Sequence, residues 1–481
     1  MTDTYTDLLA CEDLLLFAAA AVSSTGQREF HTGADDQRPA LDFLHEYVHG
    51  TLPDLYGLML ALHVNDHNAA RIVHTLLSRP RPSADPATRV RENGLIGRRL
   101  ALMPPQRVYR LFRRLAAERV NNRRTRAVMR AWLARRPLAL DALKYRAGLR
   151  AAARHARVPL PAEVARFLFS GPAARRARPY TTPLLESHRR AHYAARELYG
   201  LPFTVAEGFA THHRVPRAVF LEGIAERTTA AERLRLDRGA RRLGLDAPLT
   251  DLGSAPLLRL CVYVLGLPVA ERRERRAELE AALERAALRT AGPLAGTWPR
   301  TAAVLDDSYS SIGSPVRRNR PLALALACHH LLRALSPDGS SHWLSGRADP
   351  LTARPAGPTR LTETILDALD TGPSRVVVVS DGYDDTPPLL SDALLLWRRR
   401  VDPERSVTMV HLAPVLDTDS LAPHRLSPAV PTIGLHDPAV LPSLVELARF
   451  GEERLGLADL RAHLLATADT LLAADRPEEA P

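Results

Sequence analysis

Lysine is almost absent from this chain. Lys144 is the only one in 481 residues, so arginine carries nearly all of the positive charge. Cysteine is scarce as well. Cys11, Cys261 and Cys328 are far apart, odd in number and outside any Cys-x-x-Cys. That argues against a disulfide framework or a thiolate metal site, and predicts a reducing, cytoplasmic setting. No apolar run reaches the roughly 20 residues that span a bilayer. The run 14–22 follows Glu12 and Asp13 rather than a basic flank, so it reads as the core face of a first helix and not as a leader or membrane segment. A Gly-Lys-Ser/Thr phosphate loop and a Gly-x-Ser-x-Gly elbow are both missing. The expectation is a non-enzymatic protein.

The charge is unevenly placed. Residues 1–300 hold 48 Lys+Arg against 30 Asp+Glu, a net of +18, and residues 301–481 hold 17 against 24, a net of −7. Between 101 and 200 the ratio is 23 to 5. High-GC codon usage would explain arginine over lysine, but it does not explain the scarcity of acids there. Asymmetry of this size points to a polyanion partner for the first part.

Residues 1–290 read as helices, with apolar residues at three- and four-residue spacing, as in Val108-Leu111-Leu115 and Val164-Phe167-Leu168. Pro104-Pro105, Pro137, Pro159/Pro161 and Gly171-Pro172 punctuate them. Short helices between breakers fit a HEAT-like α-helical repeat array, although no clean sequence repeat is visible. Within it Arg110, Arg113, Arg114, Arg119, Arg123, Arg124, Arg126 and Arg130 interleave with Tyr109, Phe112 and Trp132, around Asn121-Asn122. Arginine forks suit phosphate, and aromatic faces can stack on unpaired bases. RNA contact is therefore expected here. The competing reading makes the aromatics core and the arginines a solvated face.

His45-Glu46-Tyr47-Val48-His49 matches His-Glu-x-x-His. On a helix that spacing can present two zinc ligands, with Glu46 as general base of a metallopeptidase. The third ligand would have to come from His63, Asp66 or His67, and Gly50 and Pro53 end the helix at once. The pairs His212-His213 and His329-His330 read as structural or surface residues.

The charged stretch 271–289 reads as one last helix, and residues 291–297 read as a linker. Beyond it strands and helices alternate over 298–470, with strands at 301–306, 341–345, 375–381, 406–413 and 431–436, which implies a mostly parallel sheet. Residues 471–481 read as a disordered tail. The first strand closes in Asp306-Asp307-Ser308-Tyr309-Ser310, Thr359 precedes an apolar-periodic helix, and the Val run 376–379 closes in Ser380-Asp381-Gly382. Asp306, Ser308, Ser310, Thr359 and Asp381 would then meet at one sheet edge, where a parallel α/β sheet collects ligands. A hard cation such as Mg²⁺ takes such oxygen ligands.

These three motifs, in this order, resemble the metal-ion-dependent adhesion site of von Willebrand factor A (VWA) domains. The resemblance implies a Rossmann-like α/β domain and Mg²⁺ or another divalent cation. It gives Ser308, Ser310 and Thr359 direct roles at the metal and Asp306 and Asp381 water-mediated ones. Tyr309 stands where the family usually has glycine, which bears on access to the metal. An arginine-rich helical array followed by a VWA domain resembles the Ro autoantigen (TROVE) family, which implies binding of small non-coding or misfolded RNA. It also resembles VWA adaptors of MoxR-type and other AAA+ ATPase systems, which implies capture of an acidic protein partner at the metal. Salt dependence and metal dependence of binding separate the two.

Overall fold

The computed structural model describes residues 5–23, 34–62, 64–79, 85–243, 252–313, 318–384, 389–414, 424–448 and 456–473. The disordered tail expected at 471–481 lies mostly outside them. The chain folds into two compact units, Met1–Asn68 with Asp251–Thr467, and Ala69–Thr250 with Ala468–Pro481. The composition change at 291–297 therefore falls inside the first unit.

The first unit is built on a five-stranded sheet. Its strands are β1 Thr301–Leu305, β2 Ser340–Trp343, β3 Arg375–Val379, β4 Thr408–Ala413 and β5 Thr432–Gly434. All neighbours are parallel and the order is β2-β1-β3-β4-β5. β1 and β3 lie side by side, with Leu305 opposite Val379. Both strands are covered on two faces, which is why they read as unbroken apolar runs. Ala302, Val304, Val376 and Val378 pack with Leu361, Ile365 and Leu394 of the helices Leu361–Asp370 and Leu390–Arg400. The helix Arg320–Leu335 packs on β1 and β3 and also on the helices Leu257–Gly266 and Arg276–Ala291. With neighbours on both sides it is buried almost all round, His329 and His330 included.

The charged stretch 271–289 is not one helix. Val269–Glu274 and Arg276–Ala291 are separate, broken at Arg275. Arg272 lies one turn before the break. Arg272 is buried and turned inward, donating to the carbonyls of Leu265, Leu267, Leu351 and Ala353. One guanidinium thus ties the last helices to the loop ahead of Thr359.

The second unit is helical throughout its described residues. Pro86, Pro105, Pro172 and Pro183 each open a helix, where a missing N–H costs nothing. Trp132 Nε1 donates to the Leu100 carbonyl at 2.9 Å and joins the helices Arg123–Ala134 and Pro86–Leu102. Pro105–Ala117 crosses Arg146–Ala156 so closely that a Cβ on Gly148 would lie 2.5 Å from Tyr109 Cβ. A short repeat, the dipeptide Arg-Val in one backbone shape, appears at three helix ends. Arg119-Val120, Arg157-Val158 and Arg214-Val215 each close a helix, with the arginine left-handed at φ 57°, 52° and 55°. Each valine N–H returns to the carbonyl five residues back: Leu115, Ala153 and Ala210. These are Schellman endings with arginine where glycine is usual.

Candidate divalent-cation centre and basic helical face

The sheet order reverses direction at β1, so the crevice between the carboxyl ends of β1 and β3 is its switch point. Asp306 follows β1 and Asp381 follows β3 by two residues, and both line one small pocket with Ser310 and Ser380. Ser308 Oγ lies 3.1 Å from Ser310 Oγ, and Thr359 Oγ1 donates to Ser308 Oγ at 3.2 Å. The Ser308 N–H and the Ser380 hydroxyl donate to the two Asp306 oxygens at 2.8 and 3.0 Å. The five residues singled out in the sequence therefore converge. Every donor is a hard oxygen, the set that suits Mg²⁺ or Ca²⁺ and not a soft metal. Asp306 is buried, and burial followed by the nearby Asp381 carboxylate raises it to about 6, against hydrogen bonds from Ser308 and Ser380 that lower it. Concentrated negative charge in a polar cleft is what a cation relieves.

The loops around this cluster are pinned by groups that the sequence motifs do not single out. Asp307 is fully buried and accepts from Ser345 N, Ser345 Oγ and Arg347 Nε at 3.0, 2.6 and 3.1 Å. Tyr309 N–H donates to the Gly357 carbonyl at 3.0 Å, which brings the Thr359 segment alongside. Asp384 caps the helix that follows Thr359 by accepting from Leu361 N and Thr362 Oγ1. His411 is buried in β4, with Nε2 2.9 Å from the Ser380 carbonyl, and burial lowers it to about 4. Gly382 has φ +91°, and a Cβ there would lie 2.8 Å from the His424 carbonyl. Tyr309 is 69% exposed at the rim.

The zinc expectation is corrected. His45 is buried, with Nδ1 2.8 Å from Tyr56 Oη and Nε2 3.1 Å from Asn68 Oδ1. Asn68 Nδ2 donates to the Ala21 carbonyl, so Oδ1 faces the ring as an acceptor and Nε2 carries the proton. Both ring nitrogens are spent on a structural network. Glu46 is exposed while His45 points to the core. His63 lies outside the described residues, and no group of three or more His, Cys, Asp or Glu among the described residues could hold a metal. The separated hydroxyls of the β1–β3 cluster are of a different ligand type.

The basic region divides in two. Its aromatics are core: Tyr109, Phe112 and Trp132 are buried and meet edge to face. They are not stacking platforms. Tyr109 Oη donates to buried Asp141, which Arg136 also grips at 2.8 and 2.9 Å. Arg124 pairs with buried Glu92 at 2.9 Å, Arg114 with Glu118 at 2.8 Å, Arg126 with Asn121, and Arg130 with the Ala156 carbonyl. Asn122 is a helix cap, accepting from Thr125 N at 2.8 Å. Arg110, Arg113, Arg119 and Arg123 are exposed and form no ion pair among the described residues. Arg123, Arg124 and Arg126 crowd the first turn of a helix with no acid there, against its dipole.

The fold is similar to that of a Ro protein. The crystal structure of the Deinococcus radiodurans RO (RSR) protein aligns with 92% of this chain and 100% of its own, at TM-score 0.50 and 18% identity. At that identity the likeness establishes the fold, a helical array with a parallel α/β sheet. No family model matches the sequence, and no curated protein matches it. Among the described residues no helix is long and apolar enough to cross a membrane, and Cys11, Cys261 and Cys328 are buried free thiols.

Ser380, Asp307 and Asp384 belong to the site without standing in its sequence motifs as ligands. A signal existed for two of them. Asp307 doubles Asp306, and Asp384 closes Asp381-Gly-Tyr-Asp, so each motif carries one aspartate for the cleft and one for its own support.

Proposed function

We propose that this chain is a non-enzymatic RNA-binding scaffold of the Ro type, whose helical unit contacts RNA phosphates and whose α/β unit is a VWA domain holding Mg²⁺ or another divalent cation. The observation that carries the reading is the uncommitted arginine set Arg110, Arg113, Arg119 and Arg123. It lies in the helical part of a chain with a Ro-like fold. Exposed guanidinium groups without carboxylate partners retain their full capacity for phosphate. With its aromatics buried, this face reads backbone phosphates and not bases, so affinity is governed by counterion release and is salt-dependent. The test is a binding isotherm with a structured RNA at several salt concentrations. Replacing the four arginines together with glutamine lowers affinity at least tenfold and flattens the salt dependence.

For the cation centre the support is that Asp306, Ser310 and Asp381 line one pocket, with Ser308 and Thr359 joined to Ser310 by hydrogen bonds. Ser308, Ser310 and Thr359 would hold the ion, and Asp306 and Asp381 would balance its charge. Such an ion supplies a fixed positive charge to which an acidic side chain of a partner protein can bind. Exposed Tyr309 at the rim would touch that partner. Mg²⁺-dependent capture that Thr359→Ala abolishes supports this second role, and capture that survives EDTA refutes it.

A further inference from the structure

A second basic cluster lies outside the face just described. Phe167, near the end of the helix Ala162–Phe169, is its hub. Tyr180 packs on that ring at 6.2 Å between centroids, His188 at 5.2 Å, and the Arg175 guanidinium at 5.7 Å. His192 continues the row, 5.3 Å from His188 and 4.9 Å from Phe209. Arg146 and Arg176 complete the positive surroundings: His188 feels Arg175 and Arg146, and His192 feels Arg176, Arg175, His212 and His213. Arg166 lies over the Tyr180 ring, 4.0 Å from its centroid.

Two buried polar atoms here have no hydrogen-bond partner among the described residues, Arg175 Nε and the Tyr180 hydroxyl. Tyr180 is only 5% exposed. Unsatisfied buried donors are costly and rare, and two around one aromatic ring call for an acceptor. The neighbouring carboxylates cannot supply it. Glu163 is spent on Thr181 N and on Thr182 N and Oγ1, Glu186 on Arg189, Arg190 and Tyr180 N, and Glu207 on Arg217. Arg146, Arg175 and Arg176 make no ion pair with any of them.

We propose that Arg146, Arg175, Arg176, Tyr180, His188 and His192 form a binding site for a phosphate group, and that its occupancy is coupled to protonation of the two histidines. The chemistry follows from the donors. A tetrahedral oxyanion accepts from the guanidinium fork of Arg175 and from the Tyr180 hydroxyl, and His188 and His192 add donors once charged. Without an anion, burial first and then the surrounding cations hold His188 down at about 4 and lower His192. An anion among these groups reverses the electrostatic part, so phosphate and protons bind together. The site does not depend on the RNA reading, because free phosphate and the phosphates of a nucleic acid share this chemistry.

The test uses the full chain with carbon-13-labelled histidine, titrated with inorganic phosphate against chloride at matched ionic strength. His188→Gln and His192→Gln identify the two ring signals. Millimolar phosphate is expected to move both and to raise their titration midpoints by about one pH unit, a tenfold coupling. Arg175→Gln is expected to abolish the movement, and Arg176→Gln to weaken it, with folding of each checked by thermal melting. A 5′-phosphorylated and a 5′-hydroxyl oligoribonucleotide separate the sources: response to both assigns the site to backbone phosphates, and response to the first alone to a terminal phosphate. Ring signals that ignore inorganic phosphate and both oligonucleotides, or that move equally in a folded Arg175→Gln protein, overturn the proposal.

Discussion

Asp306 and Asp381 stand at the carboxyl ends of paired parallel strands and share one pocket, and the charge of Asp381 helps to hold the Asp306 proton. The consequence is a centre whose stability depends on what neutralises it. Asp306 is raised in the folded chain, so its contribution is present below the unfolded value of 3.8 and is lost as pH rises through about 6. In EDTA at pH 7.5 Asp306→Asn should therefore stabilise the protein, by on the order of 2–3 kcal/mol. In Mg²⁺ the order should invert, because the wild type gains the cation and the variant does not. Denaturant unfolding of both proteins in both buffers checks this. A variant less stable than wild type in EDTA would contradict it.

Acid stability tests the buried imidazoles. His329 and His411 are lowered to about 4 and His330 to about 3, each chiefly by burial. They are neutral in the fold while the unfolded chain takes up protons below about 6.5, so stability falls as pH drops from about 6.5 towards 4. At pH 5 each costs about 2 kcal/mol, whereas Asp306 returns about 1 between pH 7 and pH 5 in the metal-free protein. The histidines win. Urea midpoints should fall from pH 7 to pH 5, and a flat or rising profile would refute the assignment.

The arginines of the basic region should separate into two kinds. Arg124 holds Glu92, which is 5% exposed, so Arg124→Ala should cost about 2–3 kcal/mol of stability by taking a guanidinium away from a buried carboxylate. Arg123 is its exposed neighbour, and Arg123→Gln should change stability by less than about 0.5 kcal/mol. Thermal melts of the two variants side by side show the difference. Equal effects would mean that the Arg124–Glu92 pair contributes nothing.

The α/β part was legible because its signals are local. An unbroken Val run marks a strand buried on both faces, and polar residues just past it mark the sheet edge, so the strands fell within a few residues of their sequence-read places. Asp306, Ser308, Ser310, Thr359 and Asp381 came together for the same reason. The helical part was legible as helices and breakers but not as partnerships. Arg124 and Glu92 are 32 residues apart, and nothing at either position announces the other. Tyr109, Phe112 and Trp132 follow helical spacing equally well as core or as a surface stack, and only tertiary contacts, the crossing of Tyr109 at Gly148 and the Trp132 bond to Leu100, decide for core. His45 met a zinc motif by spacing alone, while its partners Tyr56 and Asn68 lie on other helices. The three Arg-Val helix endings were not legible because a shared dipeptide does not announce the left-handed backbone shape that it adopts.

On the proposed reading, the uncommitted arginines of the helical unit bind RNA phosphates. The most direct measurement is the salt dependence of RNA affinity for the wild type and for the protein with Arg110, Arg113, Arg119 and Arg123 all changed to glutamine. Each lost phosphate contact should lower the slope of log affinity against log salt by about 0.7–0.9. A slope shallower by about 3, with unchanged thermal stability, is the predicted result. Identical slopes and affinities in the two folded proteins would contradict it.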